Sequence, residues 1–406
     1  MMADLLRVVL VVLILLFLIK KKVDLGIVLF LGAILAGLLF RLQIKILILD
    51  LLKALIAFET LSLIGIIVLV LYLGNFLQNR GNFKILVDSL KDLVPEARLI
   101  LAIPPVFIGL LPMLGGALMS APIVEEASRR WKLSPAWKTF LNYWFRHIWE
   151  YCWPLYVNLI MAAAILQIPI KKISSVQFPF TILAAAVGLI LLFKHVPYLP
   201  KEGKSNRFLR NLYNLFFSLW PILLVIFLIF ALRLHMLISL AITALLTQIL
   251  SRMKFKERLN LIWKSISWKT IFLLASVMMF KRILETSGAL NSLTQVFRPE
   301  GVSAYFLLFT VPFLLGLLTG VNHAFVGISF PILLPIFGIS QPDMVLVMFA
   351  YVSGFVGILL SPAHLCLILT LDYFQADLRG VYKILIWPCL IVFIASFLVL
   401  LFLRII

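Results

Sequence analysis

Acidic residues are scarce in this sequence, and extended polar stretches are missing. The 406-residue chain carries 17 Asp and Glu against 36 Lys and Arg, and only 13% of its residues are charged. The longest polar insert, Lys194 to Arg210, reads as a loop, so no extended soluble domain is expected. Cysteine is rare as well. Cys152, Cys366 and Cys389 fall within apolar runs without metal spacing, and they imply no disulfide framework. Several catalytic signatures are also absent. There is no Walker A loop to support ATP-driven pumping, no H-E-x-x-H or H-x-x-E-H, and no Gly-x-Ser-x-Gly elbow.

What is present is apolar: 63% of the residues, with a mean hydropathy of +1.13. Apolar runs separated by short basic loops indicate an all-α, polytopic membrane protein. The net charge of +19 comes from basic residues at the ends of apolar spans. That is where the positive-inside rule places them, so nucleic acid is not an expected partner. Membrane lipid is an expected partner, and a basic protein also favours anionic headgroups or an anionic solute. The N-terminal run lacks a positive leading region and a small-residue cleavage site, so it reads as a retained first helix.

About ten spanning helices are expected: Leu5–Ile19, Leu25–Phe40, Leu61–Leu77, Trp137–Ile170, Phe178–Phe193, Leu212–Leu232, His235–Leu250, Ile271–Leu284, Val345–Leu371 and Ile384–Leu403. Two blocks, Leu99–Val124 and Tyr305–Phe337, are interrupted midway by Gly, Pro or Asn and read as re-entrant hairpins. With Lys20–Lys22 in the cytoplasm, about two-thirds of the Lys and Arg residues share that side, and the N-terminus lies outside. Two amphipathic segments, "QIKILILDLLKALIAF" and "KFKERLNLIWKSI", read as interfacial helices.

The halves resemble each other. Pro105 matches Pro312, and Gly109-Leu110-Leu111 matches Gly316-Leu317-Leu318 at one offset (316 − 109 = 207). "LQNRGNFKIL" from Leu77 matches "LETSGALNSL" from Leu284, and Trp153-Pro154 matches Ser361-Pro362. The expected division is residues 1–193 and 211–406 as two inverted repeats, joined by a cytoplasmic linker over 194–210. Each repeat holds a hairpin (99–124, 305–337) and a broken helix (137–170, 345–371). Inverted repeats with paired broken segments point to a secondary transporter. A duplicated bundle with glycines for close packing is the bland alternative. An intramembrane enzyme and a channel are the competing functions.

The candidate site residues cluster at the interruptions. Gly115 and Gly116 permit a tight reversal at the first hairpin tip, and a half-helix N-terminus there can face an anion. Asn322 and His323 form the second tip. Pro154 and Pro362 break their helices and free carbonyls one turn earlier, where Ser361 and His364 could join in holding a cation or water. Asn158 follows the first break. Arg146, His147 and Glu150 lie in mid-span, and Arg146 and Glu150, four apart, share a helix face. Such charge costs about 2.5–3.5 kcal/mol on insertion scales, so it marks either a structural ion pair or a substrate or proton site.

The stretch "GGALMSAPIVEEASRRW…FLNYWFRHIWEYCWPLY" resembles an uncharacterised prokaryotic integral membrane family placed in the ion-transporter superfamily. That superfamily includes divalent anion:sodium symporters, citrate transporters, arsenite permeases and gluconate permeases. The resemblance implies an inner-membrane homodimer with a scaffold (about 5–77 and 212–284), a mobile transport domain and elevator-like alternating access. It also implies a small anionic solute and no resident cofactor beyond a coupling H⁺ or Na⁺. The symporters' Ser-Asn-Thr tips are absent: the tips here read Leu114-Gly115-Gly116-Ala117 and Val321-Asn322-His323-Ala324. Sodium coupling and a dicarboxylate substrate are therefore not carried over.

Overall fold

The computed structural model describes residues 2–79, 96–110, 116–199, 208–251, 253–290 and 302–405, with single positions 85, 89 and 93. Gly115, Leu111 and most of "LQNRGNFKIL" lie outside the described residues. Among those described, the regular structure is all helical. The first half contributes α1 (Met2–Lys20), α2 (Leu25–Leu39), α3 (Ile44–Ile56), α4 (Phe58–Asn79), α5 (Ile103–Gly109), α6 (Gly116–Ser128), α7 (Pro135–His147), α8 (Val157–Leu166) and α9 (Ile170–His195). The second contributes α10 (Phe208–Phe230), α11 (Met236–Leu250), α12 (Phe255–Ser265), α13 (Trp268–Thr286), α14 (Val302–Thr319), α15 (Asn322–Phe337), α16 (Met344–Leu359), α17 (Leu365–Phe374) and α18 (Leu378–Ile405).

Among the described residues, four helices are individually long and apolar enough to cross a bilayer: α4, α9, α10 and α18. The pair α12–α13, bent by 41°, makes a fifth if taken as one span. Others, including α2, α8, α11 and α15 to α17, are apolar but shorter. The outward stripe of α18 shows what surrounds the molecule. Trp387, Ile391, Ile394, Leu398 and Phe402 are exposed at three- and four-residue spacing, an apolar face suited to lipid tails. The amphipathic α3 exposes Ile44, Ile48, Leu52 and Ile56. It turns Leu47 and Asp50 inward, where Asp50 accepts from Arg282 Nε at 3.0 Å.

Packing follows paired contacts between the halves. α2 lies along α13, and α11 along α4; α3 packs on α13, and α12 on α4. α5 packs on α7 and α14 on α16, while α6 meets α17 and α15 meets α8. Glycine permits the closest crossings. A Cβ on Gly109 would collide with the Arg146 carbonyl, and one on Gly316 with the Gly354 carbonyl.

Candidate functional site

The chain between α7 and α8 shows why charges gather there. Ser134 caps α7, its hydroxyl accepting from Trp137 N, and Pro135 starts the helix. The α-helix ends at His147 and tightens into a 3-10 turn over Ile148–Tyr151. Pro154 explains the change. It has no N–H to offer the Glu150 carbonyl, and its ring crowds that turn. The freed Glu150 carbonyl instead accepts from the Tyr351 hydroxyl at 2.8 Å, and Asn158 Nδ2 donates to that same hydroxyl at 2.5 Å.

The second break uses the same device. Around Pro362 the Leu359 carbonyl takes the Tyr143 hydroxyl at 3.2 Å, and the Leu360 carbonyl takes the Tyr382 hydroxyl at 2.8 Å. The Ser361 hydroxyl donates to the Leu317 carbonyl at 2.7 Å. Tyrosines from neighbouring helices thus brace the carbonyls at this break.

Both breaks and one hairpin tip converge. Arg146, His147 and Glu150 are 3%, 1% and 3% exposed, deep enough that each needs a protein partner. Arg146 Nη1 lies 3.6 Å from Glu150 Oε1, and His147 Nε2 lies 3.7 Å from the same oxygen. Asn322 Nδ2, at the start of α15, donates to Glu150 Oε2. From the second break, His364 Nε2 comes within 3.1 Å of His147 Nε2. His364 Nδ1 donates to the Gly320 carbonyl at 2.6 Å. Gly320 has φ +62°, and a Cβ there would stand 2.6 Å from the His364 nitrogen, so only glycine lets this tip approach the break.

The structure therefore brings together Arg146, His147, Glu150, Asn158, Asn322 and His364, with Pro154, Ser361 and Pro362 shaping the chain around them. Gly116 is buried as the first residue of α6. His323, half-buried beside Asn322, makes no hydrogen bond to this cluster among the described residues. Tyr143, Tyr351 and Cys366 are additions that sequence reasoning did not single out. The pair His364-x-Cys366 is by itself no metal spacing, and the tyrosines carry no signal because their partners lie about 200 residues away.

A second polar region lies elsewhere. A cavity of about 850 Å³ is bounded by the start of α4, the α8–α9 junction and the α10–α11 junction, with Glu59, Gln167, Lys171, Arg233 and His235 in its walls. It stands at helix ends, whereas the Arg146 cluster is enclosed.

No curated protein matches the chain. Residues 2–405 match the family described as protein of unknown function (DUF401), and the chain belongs to that family.

Proposed function

We propose that this protein is a secondary active transporter of a small anionic solute, working by alternating access in a prokaryotic inner membrane. The observation that carries the reading is the convergence of two helix breaks and a hairpin tip on one buried charged cluster. Irregular backbone and mid-span charge are both costly in lipid, and they are tolerated together where they line a solute site. Arg146 is the anion ligand in this reading. Glu150 holds its charge when the site is empty and releases it when solute arrives. Asn322 carries a buried Oδ1 without a hydrogen-bond partner among the described residues, beside the carboxylate it touches.

The second element of the proposal is a pair of inverted repeats, giving about ten spans and two re-entrant hairpins. Its support is positional. Gln167 ends α8 and Gln375 ends α17, both left-handed, 208 apart (375 − 167 = 208). Lys22 and Arg233 have positive φ before α2 and α11, 211 apart (233 − 22 = 211). The swapped pairings of α2 with α13 and α11 with α4 are what a pseudo-two-fold axis generates. The architecture is that expected of the ion-transporter superfamily, with α1–α4 and α10–α13 as a homodimeric scaffold. The N-terminus is outside in this topology, and the coupling ion is H⁺ or Na⁺.

The third element is the state. Gly327 of α15 packs against Val277 of α13, and His323 at the tip feels Lys269 and Asp24 at the cytoplasmic ends of α13 and α2. The second hairpin is thus seated low on the scaffold, with the 850 Å³ cavity on the opposite side. This supports a transport domain displaced inward.

Uptake of radiolabelled organic and inorganic anions into proteoliposomes, under imposed pH and sodium gradients, tests the proposal. Arg146→Met combined with Glu150→Gln removes both charges together and avoids an orphaned ion. This variant should fold and lose uptake. Normal uptake by the folded double variant would refute the assigned role, and absence of uptake of every anion under every gradient would refute the transporter reading.

A further inference from the structure

We propose that His147, His364 and Cys366 form a binding site for one divalent transition-metal ion of the zinc class where the two helix breaks meet, with the Glu150 carboxylate beside it. The ligand atoms of the two histidines and the cysteine all lie within 4.8 Å of one another, and all three residues are buried. Glu150 Oε1 is 3.7 Å from His147 Nε2.

The hydrogen atoms on the rings are fixed by their partners. His147 Nδ1 lies 2.6 Å from the Tyr143 carbonyl, and His364 Nδ1 lies 2.6 Å from the Gly320 carbonyl. A carbonyl oxygen only accepts, so both Nδ1 atoms carry hydrogen, and in neutral rings both Nε2 atoms present lone pairs. Those lone pairs are 3.1 Å apart, with ring centroids at 5.2 Å, so the nitrogens face each other. Two acceptors in that position repel unless a cation stands between them.

The spacing fits a metal. Tetrahedral Zn–N bonds of about 2.0–2.1 Å place neighbouring ligand atoms about 3.3 Å apart. Donation of the second ring nitrogen to a backbone carbonyl is also the usual orienting contact of a metal-bound histidine. Thiolate and imidazole together suit zinc-like ions better than magnesium or calcium. Access is available at the break itself, where Pro362, Ala363 and Leu365 are exposed on either side of His364.

Arg146 Nη1 lies 3.4 Å from His147 Nε2, so the charge balance matters. A divalent ion and Arg146 outweigh the Cys366 thiolate and the Glu150 carboxylate by one positive charge. The surplus suits the anionic solute proposed above. That last step rests on the transporter reading; the metal site does not.

The test uses full-length protein in detergent, purified without a polyhistidine tag, stripped with chelator and loaded with Co²⁺ or Zn²⁺. Metal analysis should find a stoichiometric ion. The cobalt form should show tetrahedral d–d bands and a thiolate-to-cobalt charge-transfer band. Cys366→Ser should lose the charge-transfer band while keeping bound metal, and Cys389→Ser, which alters a buried thiol of α18, should keep both. His364→Ala should weaken binding by at least about tenfold. Protein that stays metal-free after loading, or a cobalt spectrum unchanged by Cys366→Ser, would overturn the proposal and leave a proton shared between the two rings. Transport is not measured, so failure of the solute assay does not touch this result, nor does failure of metal loading touch that assay.

Discussion

The helix pairs α5–α6 and α14–α15 share most of their kinds of contact and differ in one: α6 meets α17 as α15 meets α8, and α6 packs on α7 as α15 packs on α16, but α15 also packs on α13. The first residue of α15 in addition reaches Glu150. Two similar local designs in one chain can therefore occupy different contacts at the same time. In the proposed mechanism that asymmetry is the state of the transporter, and exchanging it between halves is the transport step.

The largest effects should come where the hairpins are most alike. Gly109 and Gly316 each let an entering helix seat against a backbone carbonyl of the broken helix. Neither contact can give way as a flexible side chain would. Valine at either position should abolish a monodisperse peak in fluorescence-detected size exclusion, because even the Cβ would stand 2.3 Å from a backbone carbonyl oxygen and neither backbone can move aside without unseating its helix. Gly320→Ala adds backbone strain at φ +62° to its clash with His364. Tolerance of valine in one half only would break the equivalence of the two seats.

Next comes the charge that joins the halves. Arg146→Ala leaves Glu150 buried beside two histidines and should destabilise by about 3–5 kcal/mol. Asn322→Ala removes a hydrogen bond to a charged group and should cost about 1.5–3 kcal/mol. Thermal unfolding in detergent checks both values. An Arg146→Met, Glu150→Gln double variant nearer the parent than Arg146→Ala would identify the cost as that of an unpaired charge rather than lost packing.

A smaller contrast separates the two breaks. Tyr351→Phe takes the hydroxyl partner from both the Glu150 carbonyl and the Asn158 amide, whereas Tyr143→Phe strips only the Leu359 carbonyl. The first should cost about 1–3 kcal/mol and the second about 0.5–1.5 kcal/mol. Equal Tm shifts would mean that the breaks are braced alike.

These contrasts also mark what could be read from the sequence. Helix content, the apolar runs and the two proline breaks are local properties, carried by residue type and spacing. The Arg146–Glu150 pairing follows from four-residue spacing on one helix. His364 stood out because it flanks Pro362, although its partner His147 sits 217 positions earlier. The tyrosine braces were invisible, since a tyrosine in an apolar helix carries no sign of which distant carbonyl it will meet. Cys366 was passed over because its metal-like company arises only when the halves fold together. His323 is the contrasting case: one residue after Asn322, it makes no hydrogen bond to the cluster among the described residues.

The smallest expected effect concerns two helix starts at corresponding positions. Asp24 caps α2, accepting from Gly26 N at 2.9 Å, and pairs with Lys269 at 2.9 Å. His235 caps α11, accepting from Leu237 N at 3.3 Å, and shares its cavity wall with Glu59. The positions correspond (235 − 24 = 211; 269 − 59 = 210), with the acidic member moved from the cap to the neighbouring helix. Asp24→Ala should cost about 0.5–2 kcal/mol as a lost cap. His235→Ala should cost less, because a ring nitrogen at 3.3 Å is the weaker acceptor. Lys269 is 81% exposed, so Lys269→Ala should fall within the roughly 0–1 kcal/mol of a surface pair. The pH dependence separates the two caps. The Lys269 hydrogen bond, helped by the Gly26 amide and opposed by partial burial, holds the Asp24 carboxyl below its ordinary value of 3.8. A depressed folded-state value stabilises above the unfolded value, and the gain disappears as pH falls through the folded one. The Tm difference between parent and Asp24→Asn should therefore be present at neutral pH and vanish in strong acid. A difference that persists there would assign the effect to packing of the side chain rather than to its charge.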